Sequence, residues 1–280
     1  MAHKIYLTIV IILGVLVLFA LTAFIAYAAD FHDPLSLTFK KIYPAVVVRE
    51  RLISIYELDK AFEIARSLDS TVSKKTVIDQ LISAKKMESL VRKLRVDYDS
   101  GKITDEFLFF KTNNNDEYIK LVKDHFSGQE KLFEKFVVEP EALSAALKIR
   151  FNSNFEMNSN AFNRIKDIQR QLNEGRSFED LAREKSDDKL TGQFGGDLGF
   201  VQEHEIIPEL FNKIDQAQIG AVLDQIVVSR FGYHLLYPVE SNGQGEAKVW
   251  QVKHILVETS GFDQWFEHQT QNLPVWKIVK

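Results

Sequence analysis

"SFEDLAREKSDDKLTGQFGGDLGFVQEHEIIPELF", residues 177–211, is the stretch on which the fold turns. Ser177, with Asp180 three positions on, is an N-cap pattern in front of Leu181 and Ala182, so a helix starts here. An acidic turn at Ser186-Asp187-Asp188 ends it, a loop from Gly192 to Gly199 runs into a short strand, and Pro208 can open the next helix. The glycines are no nucleotide fingerprint: no strand precedes them, no Lys-Ser/Thr follows Gly199, and their spacing fits neither phosphate motif. The chain also contains neither His-Glu-x-x-His nor Gly-x-Ser-x-Gly, the zinc-protease and nucleophile-elbow patterns.

Upstream, the pattern is mainly helical. Leu143, Ala146, Leu147, Arg150 and Phe151 recur at helical spacing after Pro140, and Ala161, Ile165, Ile168 and Leu172 share one face of a helix that stops at Gly175. Val77, Ile78, Leu81, Ile82, Leu90, Val91 and Leu94 predict a long amphipathic helix over 73–94. Tyr56–Ser67 reads as a short helix, and "AVVVRERLISI" (45–55) as one bent strand or a tight strand pair. "NNND" (113–116) breaks the helical pattern, and Ser127-Gly-Gln-Glu130 matches a capping box before Leu132, Phe133 and Phe136. "DYDSGKITDEF" (97–107) imitates a calcium loop, but its glycine is one position early and Leu108 stands where a bidentate carboxylate belongs. It reads instead as a polar turn between helices.

Composition bounds the rest. A formal net charge of −4 with scattered lysines gives no basic face for nucleic acid, and the absence of cysteine excludes disulfides, thiolate metal sites and a cysteine nucleophile. Ile5–Ala29 is 25 residues without a charge; as a helix it would be about 37 Å long, enough to span a bilayer. Ala26-Tyr27-Ala28 has the form of a signal-peptidase site, yet the run exceeds a usual signal core, which favours an uncleaved anchor. Lys4 before it and Asp30 and Asp33 after it place the bulk of the chain outside the cell membrane. Residues 31–44, with two prolines, read as a linker.

The order of motifs from Phe178 to Glu240 closely resembles the parvulin (PpiC-type) peptidyl-prolyl isomerases: Ser186–Asp188, "GGDLGF", "IIPELF", Gly220 and "SRFGYHLLYPVE". The resemblance covers roughly 157–240. It implies catalytic roles for Asp188 beside the substrate amide, for His234 on the last strand and for Ser229 before it; Ile206 and Leu210 take the places of the proline-pocket Met and Phe. Leu for Phe makes that pocket less aromatic unless Phe211 takes over. Read without the resemblance, Asp188 can equally be a cap, Ser229 a strand-end hydroxyl, and Asp197 a turn residue.

The family's first strand, a histidine followed by apolar residues, is missing from its usual place. There the chain has "ALKIRF" (146–151), helical in period, with Lys148 nearest the histidine position. "KHILVE" (253–258) has the required form, so the domain reads as permuted, with His254 completing the site. A lone histidine heading an apolar strand is ordinarily a core residue. Here, however, "SNGQGE" (241–246) suits a hairpin turn, and a hairpin centred on Gln244 would set His234 directly opposite His254, with Cβ atoms about 4.5–5.5 Å apart. A slip of one residue would turn His254 to the other face.

The flanks, 45–140 and 262–280, resemble more loosely the helical segment of SurA/PrsA-type foldases. The expected architecture is α+β: a membrane anchor (1–30), a linker (31–44), a mostly helical chaperone-like domain (45–156, completed by 262–280), and a parvulin-like domain (157–260). That last domain is a small antiparallel sheet surrounded by helices, with its histidine strand at 247–258. What the resemblance implies is isomerisation of Xaa-Pro bonds in unfolded or secreted polypeptides, with no metal or cofactor, or alternatively a weak or inactive isomerase acting as a chaperone.

Overall fold

The computed structural model describes residues 34–113 and 115–279, so the apolar run at 5–29 lies outside the described residues. Among those described, no helix is long and apolar enough to cross a membrane. The chain divides into two compact units, one of residues up to Lys86 together with Asn272–Lys280, the other Met87–Gln271.

The first unit begins with α1 (Pro34–Ile42), where a linker was expected; Pro34 occupies the first helical position, where its missing N–H costs nothing. β1 (Pro44–Val48) and β2 (Arg51–Ser54) form an antiparallel pair, the second of the two forms expected for 45–55. Ser54 caps α2 (Ile55–Leu68), its hydroxyl accepting from the Glu57 amide. β7 (Val275–Lys277) adds to the free edge of β1, giving the order β2-β1-β7. Ala45, Val46, Val48 and Ile53 are wholly buried there.

α3 (Lys74–Leu94) agrees with the helical spacing, and its last turns belong to the second unit, where Leu90 and Val91 pack with Leu143, Leu147 and Phe266. α4 (Ser100–Asn113) takes in most of the calcium-like segment. α5 (Asn115–His125) follows the asparagine break. Ser127 and Gly128 have positive φ, 53° and 70°, and the Gly128 amide donates back to Val122 O, so they close α5; the expected capping box does not form. Its Ser is spent on terminating one helix and cannot cap the next.

α6 (Glu130–Phe133) then runs through a π-helical turn (Glu134–Val138) into α7 (Glu139–Asn152). Pro140 therefore sits near the start of α7 but does not begin a separate helix; the widened turn immediately before it absorbs the ring and the missing donor. Lys148 lies in α7, with its ammonium over the Phe262 ring, and not in a strand.

The expected boundary at 156/157 is thus displaced: α4 to α7 belong to the same unit as the sheet. That four-stranded sheet has the order β3-β6-β5-β4, all neighbours antiparallel, from β3 (Asp197–Val201), β4 (Val227–Val228), β5 (Gly232–Asn242) and β6 (Val249–Glu258). The last strand in sequence is central in space. On one face Tyr233, Leu235, Ile255 and Val257 pack under α8 (Ser159–Asn173) and α9 (Phe178–Lys185). On the other, Leu236, Trp250 and Val252 pack under α11 (Pro208–Ile214), while α10 (Lys189–Gly192) is a single turn beside β6. α12 (Phe262–Thr270) follows β6 and stays with this unit, so of the expected C-terminal completion only β7 joins the first unit.

The hairpin differs from its expected register. His234 pairs with Leu256, and Leu236 with His254. Pairing shifts at a bulge between Pro238 and Glu240, and a 3-10 turn at Gly245–Ala247 displaces the centre of the loop. The total displacement is two residues, an even number, so both histidines remain on one face as diagonal neighbours.

Candidate active site

Four side chains meet on that face in one hydrogen-bonded line. Asp188 Oδ2 is 2.8 Å from His254 Nε2, His254 Nδ1 is 3.3 Å from His234 Nδ1, and His234 Nε2 is 2.7 Å from Ser229 Oγ. The imidazoles lie nearly parallel, at 22° with centroids 5.5 Å apart.

Local sequence explains each placement. Asp188 caps α10: its Oδ1 accepts from the Leu190 and Thr191 amides and its Oδ2 from the Thr191 hydroxyl. Asp188 is therefore a cap, as one reading of the sequence had it, and the same carboxylate reaches His254 through its second oxygen. β3 pairs only with the first part of β6, as far as Lys253, and beyond that the 186–196 loop replaces it. The His254 amide donates to Gly196 O, the Asp187 amide to Leu256 O and the Leu256 amide to Ser186 Oγ, while Asp187 accepts from the Glu258 amide and is forked by Arg164. Stitched along the strand edge in this way, the acidic turn delivers Asp188 to His254. Asp197, as a turn residue should, accepts from the Gly199 amide.

The line has one consistent proton arrangement. Burial alone would raise the Asp188 carboxyl, but the Thr191 hydroxyl, His254 and the Thr191 amide outweigh it and hold the group below the ordinary carboxylate range. A carboxylate only accepts, so His254 Nε2 donates and its Nδ1 is bare. His234 Nδ1 then donates to that nitrogen, and the Ser229 hydroxyl donates to His234 Nε2 while accepting from the Phe231 amide at 3.0 Å. Both imidazoles are neutral. Burial pushes the His254 pKa down against the pull of Asp188; burial, reinforced by His254 and opposed by Asp188, lowers that of His234 to about 3.

This fixes the sign of a pH dependence. Between pH about 6.5 and 3 the unfolded chain binds a proton at His234 that the folded chain refuses, so stability is lost as the solution is acidified through that window. Asp188 acts in the same direction at lower pH. The urea midpoint should fall from pH 7 to 4.5, with a slope of at most about 1.4 kcal/mol per pH unit for one histidine. A flat profile would contradict the buried neutral pair.

The expected proline-pocket residues lie on the same face. Ile206 and Leu210 belong to the cluster with Leu236, Trp250 and Val252, and are 7% and 3% exposed, so they form a floor. Phe211 is only half-buried and meets the Trp250 ring edge-on at 5.2 Å, which makes it the aromatic of the three available at the surface. Thr191, whose hydroxyl donates to Asp188 Oδ2 at 2.6 Å and lies 2.9 Å from His254 Nε2, was missed from the sequence although an Asp N-cap three residues before a Thr is a readable signal. Arg230, paired with Glu106 and Glu209, and Asn152, bonded to the Ser229 carbonyl, carried no local signal at all. A cavity of about 510 Å³ lies elsewhere, walled by α4, α7, Pro208, Glu209 and Arg230; no side chain of the relay lines it.

Residues 149–240 match the family model described as Rotamase: PPIC-type PPIASE domain. Foldase protein PrsA 2 of Bacillus anthracis is 38% identical over 74 residues, 26% of this chain and 26% of that protein. Chaperone SurA of Chromohalobacter salexigens is 37% identical over 111 residues, 39% of this chain and 25% of its own. The putative peptidyl-prolyl cis-trans isomerase YacD of Bacillus subtilis is 28% identical over 147 residues, 46% and 50% of the two chains. A crystal structure of PrsA from Bacillus anthracis aligns over 70% of this chain and 86% of its own at 18% identity, with a TM-score of 0.25. The chain thus spans between a quarter and half of the length of these curated relatives. The family match stops at Glu240, before β6, the strand that supplies His254 and the centre of the sheet. The chain contains a parvulin-type (PpiC) peptidyl-prolyl isomerase domain.

Proposed function

We propose that this protein is an extracytoplasmic, membrane-anchored prolyl isomerase and foldase that acts on Xaa-Pro bonds of unfolded or newly exported polypeptides. The observation that carries the reading is the Asp188–His254–His234–Ser229 line lying on the same sheet face as the Ile206, Leu210 and Phe211 cluster. The uncharged run Ile5–Ala29 supports the anchor, and the helical segment supports client binding.

Prolyl isomerisation breaks no covalent bond; its barrier of about 18–20 kcal/mol is lost amide resonance. That resonance places negative charge on the carbonyl oxygen, so an anion held close to it destabilises the planar amide more than the twisted one. Asp188 is the most exposed member of the line, with 21% of its side chain accessible, and is the anion available for this role. The two neutral imidazoles hold it in place through His254, and Phe211 offers the proline ring an apolar edge away from water. Lowering the barrier by about 5–7 kcal/mol gives roughly four to five decades in rate.

A weakly active chaperone is the second reading, favoured by the buried Ile206 and Leu210. Exchange NMR on an Xaa-Pro peptide with the full chain separates the two. Catalysed exchange is expected, reduced at least about tenfold by Asp188→Asn, whose amide oxygen keeps the cap while its NH2 group removes the charge and cannot accept from His254 Nε2. Lys148→Ala should leave the rate unchanged. No catalysis by the native chain would favour the chaperone; full activity of Asp188→Asn would remove the carboxylate from the mechanism.

A further inference from the structure

The Ser229 end of the relay is gripped from outside the sheet. Asn152, the last residue of α7 and 1% exposed, donates from Nδ2 to Ser229 O at 2.7 Å; its carbonyl accepts from the Tyr233 hydroxyl and its Oδ1 from the Thr259 hydroxyl. The next residue along, Arg230, forks onto Glu106 of α4 at 2.7 and 2.8 Å and onto Glu209 of α11 at 3.0 and 3.2 Å. Glu106 is 2% exposed, 124 positions from Arg230, and touches no member of the relay.

Burying a charged cluster is costly and is not required to hold a hairpin together. Its position explains it better: the Ser229 hydroxyl must at once donate to His234 Nε2 and accept from the Phe231 amide, and both bonds depend on where a four-residue turn holds its backbone. If that hydroxyl turns away, His234 Nε2 loses its donor and the proton order along the line to Asp188 is no longer fixed.

We propose that the helical layer sets the isomerase site through this grip, with Arg230, Glu106 and Asn152 as positioning residues for Ser229. Glu106 lies before the matched domain begins, so the helical segment is then part of the catalytic apparatus and not only a holder of clients. The inference rests on the isomerase reading above for its kinetic consequence, though not for its structural one.

The test uses the full chain carrying Glu106→Gln, and Arg230→Lys, which keeps the charge and loses the fork. Readouts are kcat and KM for a Xaa-Pro peptide, the ring ¹⁵N resonances of His234, and the urea midpoint. Expected is a fall in kcat of about fivefold or more with KM within about twofold, together with a moved His234 Nε2 resonance in protein that is still folded. A merely structural ion pair would lower the midpoint and leave kcat and the His234 resonances unchanged in the folded fraction; that result overturns the proposal. Where Glu106→Gln does not fold, Arg230→Lys carries the same readout. If the native chain shows no catalysis, the isomerase reading fails, and the His234 resonances still decide whether the grip positions Ser229.

Discussion

Removing every residue after Gly245 is expected to unfold the unit of Met87–Gln271, although the matched domain ends at Glu240. β6 lies between β3 and β5, and its loss leaves β3 without a partner and β5 paired only with the two residues of β4. With it go the buried side chains of Trp250, Val252, Ile255, Leu256 and Val257. At about 1.5–3 kcal/mol each these amount to roughly 10 kcal/mol, comparable with the entire stability of about 5–15 kcal/mol of an ordinary domain. A chain ending at Gln271 keeps β6 and α12, loses only β7, and should retain the sheet. Near-ultraviolet circular dichroism and amide NMR dispersion distinguish the two; a folded chain ending at Gly245 would show that β6 is an accessory.

Gly196→Ala is expected to be the most damaging single substitution near the site. Gly196 has φ of 82°, a conformation costing an L-residue about 1–3 kcal/mol, and an added Cβ would lie 2.2 Å from the His254 carbonyl oxygen. That atom is strand backbone, so it cannot move without parting the loop from β6 and drawing His254 away from Asp188. A loss above about 4 kcal/mol is expected, or a folded protein with the His254–Asp188 contact broken. Gly128→Ala, at φ of 70° with nothing within 4 Å, provides the comparison, since only the backbone strain operates there. Equal midpoints for the two variants would refute the close approach.

What could be read from the chain alone was what repeats locally. Helical spacing placed α3, α7 and α8, the Ser177 cap placed α9, and the hairpin turn around Gln244 put His234 and His254 on one face. Register was not readable, because the bulge after Pro238 and the 3-10 turn at Gly245 add residues without a compositional mark. The capping pattern at Ser127 misled for a related reason: the same residues suit the end of one helix and the start of the next, and only three-dimensional context chooses. The Arg230–Glu106 pair joins positions 124 apart through the packing of α4 on the sheet domain, a contact that neither periodicity nor motif encodes.

The central claim is that the last strand brings in the second histidine and completes the relay. Ring ¹⁵N spectroscopy of the full chain at neutral pH tests it most directly. The account predicts two neutral imidazoles in opposite tautomers, His234 protonated at Nδ1 and His254 at Nε2, and a displaced His234 Nδ1 resonance when His254→Phe removes its acceptor. A His234 spectrum identical with and without His254 would contradict it.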